Sequence, residues 1–126
     1  MPARLDHTIV HSRDRFAGAR FLAELIGEPE PKPFGPFASL PLAGGVTLDY
    51  LDADGDIVPQ HLAFLVSEEE FDGVFGRITE RGLPYWAGPE RNGPQEINHN
   101  FGGRGVYIED PDGHSLEFIT HTYVID

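Results

Sequence analysis

Apolar residues recur along the chain with two periods. Phe71, Val74, Phe75 and Ile78 follow the i, i+3, i+4, i+7 spacing of a helix with one buried face. Ser67 and Glu70 form a capping box ahead of that run, and Glu68 and Glu69 suit the positive end of the helix dipole. Gly82 and Pro84 end it. An earlier stretch predicts another helix from near Ser12 to Gly27, with Phe16, Ala19, Ala23 and Ile26 turned inward. Elsewhere the period is two. GVTLDYL alternates Val46, Leu48 and Tyr50 against Thr47 and Asp49, and FASLPL, GVYIED and SLEFIT read as further strands. The strands LDHTIV and HLAFLV, each carrying a histidine, precede the two helices, and the short YW follows the second.

The helical segments repeat each other. Ser12 and Ser67, Phe16 and Phe71, and Gly27 and Gly82 are each 55 residues apart. The repeat predicts one α+β domain over residues 1–126, built by duplication from a module of about 1–56 and another of about 57–126. Asp110-Pro-Asp-Gly113 is a turn between the last two strands, and Asp52-Ala-Asp-Gly55 reads as a hairpin turn. Residues 87–104 hold four of the fifteen glycines, together with Asn92, Asn98 and Asn100. A loop of that length either lines a site or merely solvates an excursion.

Composition narrows the chemistry. With 126 residues and 40% hydrophobic content, the chain can bury one core. Nine basic against 21 acidic residues leave a net charge of −12, which argues against nucleic acid or an anionic membrane as partner. The longest apolar run is Leu62 to Val66 and the N-terminus lacks an apolar signal region, so the expected location is cytoplasmic. The absence of cysteine removes thiolate metal sites and cysteine nucleophiles, so any metal must be held by nitrogen and oxygen.

Six histidines stand beside a single lysine. On alternating strands His7 shares a face with Leu5 and Ile9, and Glu117 with Ile119 and His121. A carboxylate between Leu116 and Phe118 is costly to bury unless paired or metal-bound, yet on a half-exposed sheet it simply faces water. Spacing leaves both roles open. If His7, His61 and Glu117 converge, two imidazoles and one carboxylate form the facial set that leaves positions open on Fe(II) or Mn(II).

The duplicated units, the histidine opening each, and the tail GVYIEDPDGHSLEF together resemble the vicinal oxygen chelate superfamily. That superfamily includes glyoxalase I, extradiol dioxygenases, fosfomycin-resistance thiol transferases and bleomycin-resistance proteins. The resemblance runs from Leu5 to His121. It implies two βαβββ modules forming a curled mixed sheet around a metal-binding cleft, with His7, His61 and Glu117 at the ligand positions. The implied cofactor is a divalent metal ion, Fe(II) or Mn(II) before Zn, Ni or Mg. The first module's counterpart of Glu117 is expected near Leu48 or Tyr50, neither of them a good ligand, which favours three ligands over four.

His99, Val106-Tyr107, the Asp110 turn and Glu117 also resemble the extradiol dioxygenase signature. The match implies Tyr107 and His99 as catalytic hydrogen-bond donor and acid/base. Those enzymes carry a further proton-transfer histidine before the second ligand. Between Gly44 and Gln60 this chain has none and offers Asp49 and Tyr50 instead. Phe64, Phe101, Trp86 and Tyr50 are candidates for an apolar wall. The expected function is that of a metal-dependent enzyme, most like an extradiol-type dioxygenase, acting as a homodimer on a small aromatic or vicinal-oxygen substrate. The alternatives are a metal-free drug-binding protein of the bleomycin-resistance type, which the acidity suits, and a glyoxalase or fosfomycin-type thiol transferase. The charge disfavours the last of these, because a phosphonate needs a cation cluster.

Overall fold

A computed structural model describes residues 2–125. The chain forms two compact units that meet in sequence at Val58 and Pro59. The first runs β1 (His7–Ser12), α1 (Arg15–Ile26), β2 (Lys32–Phe34), β3 (Phe37–Pro41) and β4 (Thr47–Asp52). Its four-stranded sheet has the order β1-β4-β3-β2. β1 runs parallel to β4, and the other pairings are antiparallel. The second unit runs β5 (His61–Leu65), α2 (Glu68–Glu80), β6 (Gly105–Glu109) and β7 (Ser115–Ile119), with strand order β5-β7-β6. β5 is parallel to β7, and β6 antiparallel to it. The α+β architecture of two repeated modules is therefore the one the sequence predicts. The first unit has the full βαβββ order. In the second, the predicted YW strand shrinks to Trp86, bridged to Tyr107 on one side and Pro94 on the other.

Local chemistry explains most of the elements. The α2 capping box is complete: Ser67 Oγ accepts from the Glu70 N–H at 3.0 Å, and Glu70 Oε1 accepts from the Ser67 N–H at 2.7 Å. Such a cap is worth about 1 kcal/mol. Phe71, Val74 and Ile78 form its buried face, and Gly82 takes the left-handed conformation just beyond it.

α1 departs from expectation at its start. Its cap is Asp14, whose carboxylate accepts from the N–H groups of Phe16 and Ala17; Ser12 belongs to the end of β1. Its inward residues are Gly18, Ala19, Leu22, Ala23 and Leu25, while Phe16 and Ile26 are only half-buried. The 55-residue spacing therefore carries over for the helices as units but not for their caps. β2 escaped the sequence reading because it contains Pro33, and it lies at the sheet edge, where a missing N–H costs no ladder bond. Asp52-Ala-Asp-Gly55 is not a hairpin turn, since β4 and the next strand, β5, lie in different sheets.

The predicted turn at Asp110 is held from inside. Asp110 Oδ1 accepts from the N–H groups of Asp112 and His114 at 2.9 Å each. His114 is fully buried, and its Nδ1 accepts the Gln60 N–H at 2.9 Å, joining the turn to the entry of β5. That bond places the proton of the neutral ring on Nε2. Among the described residues, Asp110 Oδ2 is buried without a hydrogen bond. Burial pushes the Asp110 carboxyl above its ordinary range, with the His114 N–H pulling the other way.

A carboxyl raised in the fold contributes most to stability below its unfolded value, and that contribution is lost as pH rises through the raised folded value. Asp110→Asn keeps the acceptor oxygen and removes the buried charge. It is expected to abolish this part of the pH dependence of urea unfolding. Asp110→Ala loses both acceptor bonds and is expected to cost about 1–3 kcal/mol in the same measurement.

Candidate functional site

In the second unit the two sheet faces differ. Val106, Ile108, Leu116 and Phe118 are buried, while Tyr107, Ser115, Glu117 and Ile119 on the other face are half-buried. Glu117 lies in the middle of the central strand β7, with Ala63 beside it on β5 and Tyr107 beside it on β6. Paired residues share a face, and His61 stands two residues before Ala63 on that same face. The result is a contact cluster. His61 Nε2 lies 2.8 Å from Glu117 Oε1, and the His61 and Tyr107 rings are tilted at 46° with centroids 5.6 Å apart. The Glu117 side chain is 14% exposed and that of His61 52%, so the carboxylate sits at the floor and the imidazole at the rim. Burial, a hydrogen bond to Glu117 and the charge of Glu117 together push the Tyr107 phenol up to about 12. It stays protonated and able to donate throughout the neutral range.

The long loop is built against this face. Trp86 and Tyr107 exchange both backbone N–H···O bonds at 2.9 Å, which puts Trp86 on the Tyr107 side of β6. Arg91 lies over the Trp86 ring at 5.5 Å and grips Glu109 with two bonds of 3.0 and 2.7 Å. Asn92 and Asn98 donate to the carbonyls of Pro89 and Ala87, so both serve the loop itself. The glycines near its end permit close approach. A Cβ on Gly103 would strike Thr120 and His121, and one on Gly105 would strike the Asn98 amide. Gly103 and Gly105 are thus packing positions, while Gly102 has open space around it.

Other candidates lie elsewhere. His99 is exposed at the entry to a 3-10 turn over Asn100–Gly102, in the loop that precedes β6. Phe101, exposed and in the left-handed region at φ 58°, is beside Tyr123. Phe64, half-buried, stacks on the buried Phe118 at 5.3 Å.

The first unit carries His7. It is exposed on β1, with Nδ1 2.7 Å from Asp6 Oδ2. That bond, with smaller contributions from the charges of Asp6 and Asp49, raises its pKa above the ordinary histidine value. The expected counterpart of Glu117 needs correction. Tyr50 is fully buried and Leu48 nearly so, because both point to the covered face of β4. The residue in the matching register is Asp49, flanked by Ile9 of β1 and Ser39 of β3 as Glu117 is flanked by Ala63 and Tyr107. Alternation along GVTLDYL already puts Asp49 on the polar face; position counting alone missed it.

Among the described residues no three His, Asp or Glu side chains form a ready-made cation cluster. The donor chemistry nonetheless fits a divalent metal. His61 Nε2 and Glu117 Oε1 lie 2.8 Å apart on one face of the sheet, and the ring nitrogen and carboxylate are both ligands that hard and borderline cations accept.

The chain belongs to the Glyoxalase/Bleomycin resistance protein/Dioxygenase superfamily, whose model matches residues 5–118. Two solved structures titled "Oxidase ChaP-H1" and "Oxidase ChaP-H2" are each 56% identical to it, with TM-scores of 0.94. The first match covers 97% of this chain and 98% of that one; the second covers 98% and 97%. The fosfomycin resistance protein FosX from Mesorhizobium loti shares the fold at 21% identity and TM-score 0.69, covering 97% and 95%. Among curated relatives, the metallothiol transferase FosB of Shouchella clausii is 36% identical over 62 residues, 49% of this chain and 38% of that protein. The glutathione transferase FosA of Serratia marcescens is 34% identical over 77 residues, 57% of this chain and 48% of that protein. The chain thus matches less than half the length of these curated relatives.

The Tyr107 environment can be tested on the metal-free protein. Titration of tyrosinate absorbance is expected to show one phenol ionising near 12. Glu117→Gln removes the adjacent negative charge, so this late step should move down toward the ordinary tyrosine value, and Tyr107→Phe should delete it.

Proposed function

We propose that this protein is a divalent-metal-dependent enzyme of oxidase or dioxygenase type. Its substrate is a small molecule, aromatic or otherwise bearing two neighbouring oxygens. The observation that carries this reading is the His61–Glu117–Tyr107 cluster: a ring nitrogen and a carboxylate oxygen 2.8 Å apart beside a phenol that remains protonated. The high identity to two proteins named oxidases supports oxygen chemistry over thiol transfer.

In this reading His61 and Glu117 would hold the metal, Fe(II) or Mn(II) by preference. When bound, the metal supplies Lewis acidity toward adjacent substrate oxygens. The chain's own residues do the rest. Tyr107 donates a hydrogen bond to a substrate oxygen, where charge develops during reaction. Trp86, fixed by its backbone pairing and by Arg91, offers a flank to a planar substrate. His99, on the loop before β6, serves as acid/base. The working form is a homodimer, checked by sedimentation.

Two measurements test the proposal. Reconstitution with Fe(II) or Mn(II) followed by metal analysis should give one ion per chain, and His61→Ala and Glu117→Ala should abolish stoichiometric binding. A wild-type protein that retains no divalent ion would instead favour drug sequestration, the reading its acidity suits. Oxygen uptake by the Fe(II) form should appear with a member of a catechol panel. Tyr107→Phe should slow it on the order of a hundredfold while leaving metal content unchanged. Uptake unaffected by that change removes Tyr107 from the chemistry.

A further inference from the structure

The loop before β6 carries the chain's one tryptophan and folds back beside it through a strained turn. Tyr85 packs edge-on against Phe75 of α2 at 5.1 Å, so alternation sends Trp86 to the opposite side, where it pairs with Tyr107. The chain then doubles back. The Gly88 N–H donates to the Asn92 carbonyl at 3.0 Å, and the Asn92 N–H to that of Pro89 at 3.2 Å. The central residues of this turn, Glu90 and Arg91, stand at φ 57° and 61°. Two positive angles in succession mark the kind of turn that Asn-Gly ordinarily makes, and a Cβ at either position is disfavoured.

Asn-Gly would give the same backbone bonds without the strain. What it would lose is the Arg91 side chain. From this turn the guanidinium lies over the Trp86 ring at 5.5 Å and grips Glu109 with two bonds. Glu109 lies two residues beyond Tyr107 on β6, hence on the same face, and pairs with Ser115, the β7 neighbour of His61. Arg91 therefore ties the loop to the strand that carries Tyr107, with the indole under its guanidinium. A left-handed arginine persists only where its surroundings hold it, and here the contacts that hold it also fix the indole.

We infer that Arg91 is a positioning residue for ligand binding: it sets the Trp86 indole beside Tyr107, where a planar ligand held at His61 and Glu117 stacks on it. The inference rests on the metal-chelate reading. An indole already fixed loses little freedom when a flat ring lies against it, so Arg91 contributes affinity without touching the ligand. The grip is also adjustable. The Arg91 side chain is 66% exposed and that of Glu109 36%, so salt weakens the pair.

Arg91→Gly separates this role from a purely structural one, because glycine takes the left-handed turn freely and only the side chain is lost. With a single tryptophan in the chain, indole emission reports on Trp86 alone. In the metal-free protein the variant is expected to keep a thermal midpoint close to wild type, yet to show stronger acrylamide quenching of Trp86. In the Mn(II)-loaded protein it should bind 4-nitrocatechol about fivefold more weakly, with Mn(II) affinity by electron paramagnetic resonance unchanged. Added salt should move the wild type toward the variant and leave the variant where it is. Should Arg91→Gly fail to fold, Glu109→Gln removes the charged half of the grip, leaves the turn intact and gives the same readings. Unchanged nitrocatechol affinity, whatever the quenching, overturns the role of Arg91 alone. Weakened Mn(II) binding in step with weakened nitrocatechol binding makes the effect structural and also overturns it. A wild-type protein that binds no Mn(II), or binds it without nitrocatechol, overturns the chelate reading together with this one.

Discussion

The parallel pairing of each unit's first strand with its last is the constraint on which the rest depends. It brings residues far apart in sequence into lateral contact, His61 with Ser115 and Ala63 with Glu117, and sets them in register to within one residue. A slip by one position would turn Glu117 into the core and expose Phe118, exchanging a solvated charge for a buried one. The buried row of Val106, Ile108, Leu116 and Phe118 therefore fixes where the chemistry can stand. The same logic operates in the first unit, where Leu48 and Tyr50 face inward and leave Asp49 on the other side.

Around that register the chain places supports that do no chemistry. Asp110 and His114 close the turn between β6 and β7 and join it to the residue just before His61. Arg91 draws the long loop onto Glu109 and Trp86, beside the open face. Arg104 bonds to Glu68 and Asp72 and lies over Phe71 at 4.5 Å, securing the start of α2 to the stretch that enters β6. Arg91 and Arg104 are thus both committed to structure.

Much of this was legible without coordinates. The 3.6-residue period located α2 and its cap, because a capping box is a local interaction between residues three apart. Strand alternation located β4, β6 and β7. Cap and edge details were less legible: Ser12 was a plausible cap, yet the strand claimed it and Asp14 took over. β2 was hidden by Pro33, whose usual exclusion from strands lapses at a sheet edge.

By itself the sequence determined the duplicated α+β plan and the nitrogen-and-oxygen character of any metal site, which follow from residue type and periodicity over a few positions. The family resemblance added His7, His61 and Glu117 as candidate ligands. Only the tertiary structure decided which carboxylate mirrors Glu117 in register, and that Gly103 and Gly105 serve close packing. Those facts depend on which strands are neighbours and on which face each residue falls, and hydrogen-bonded register sets both between segments more than forty residues apart.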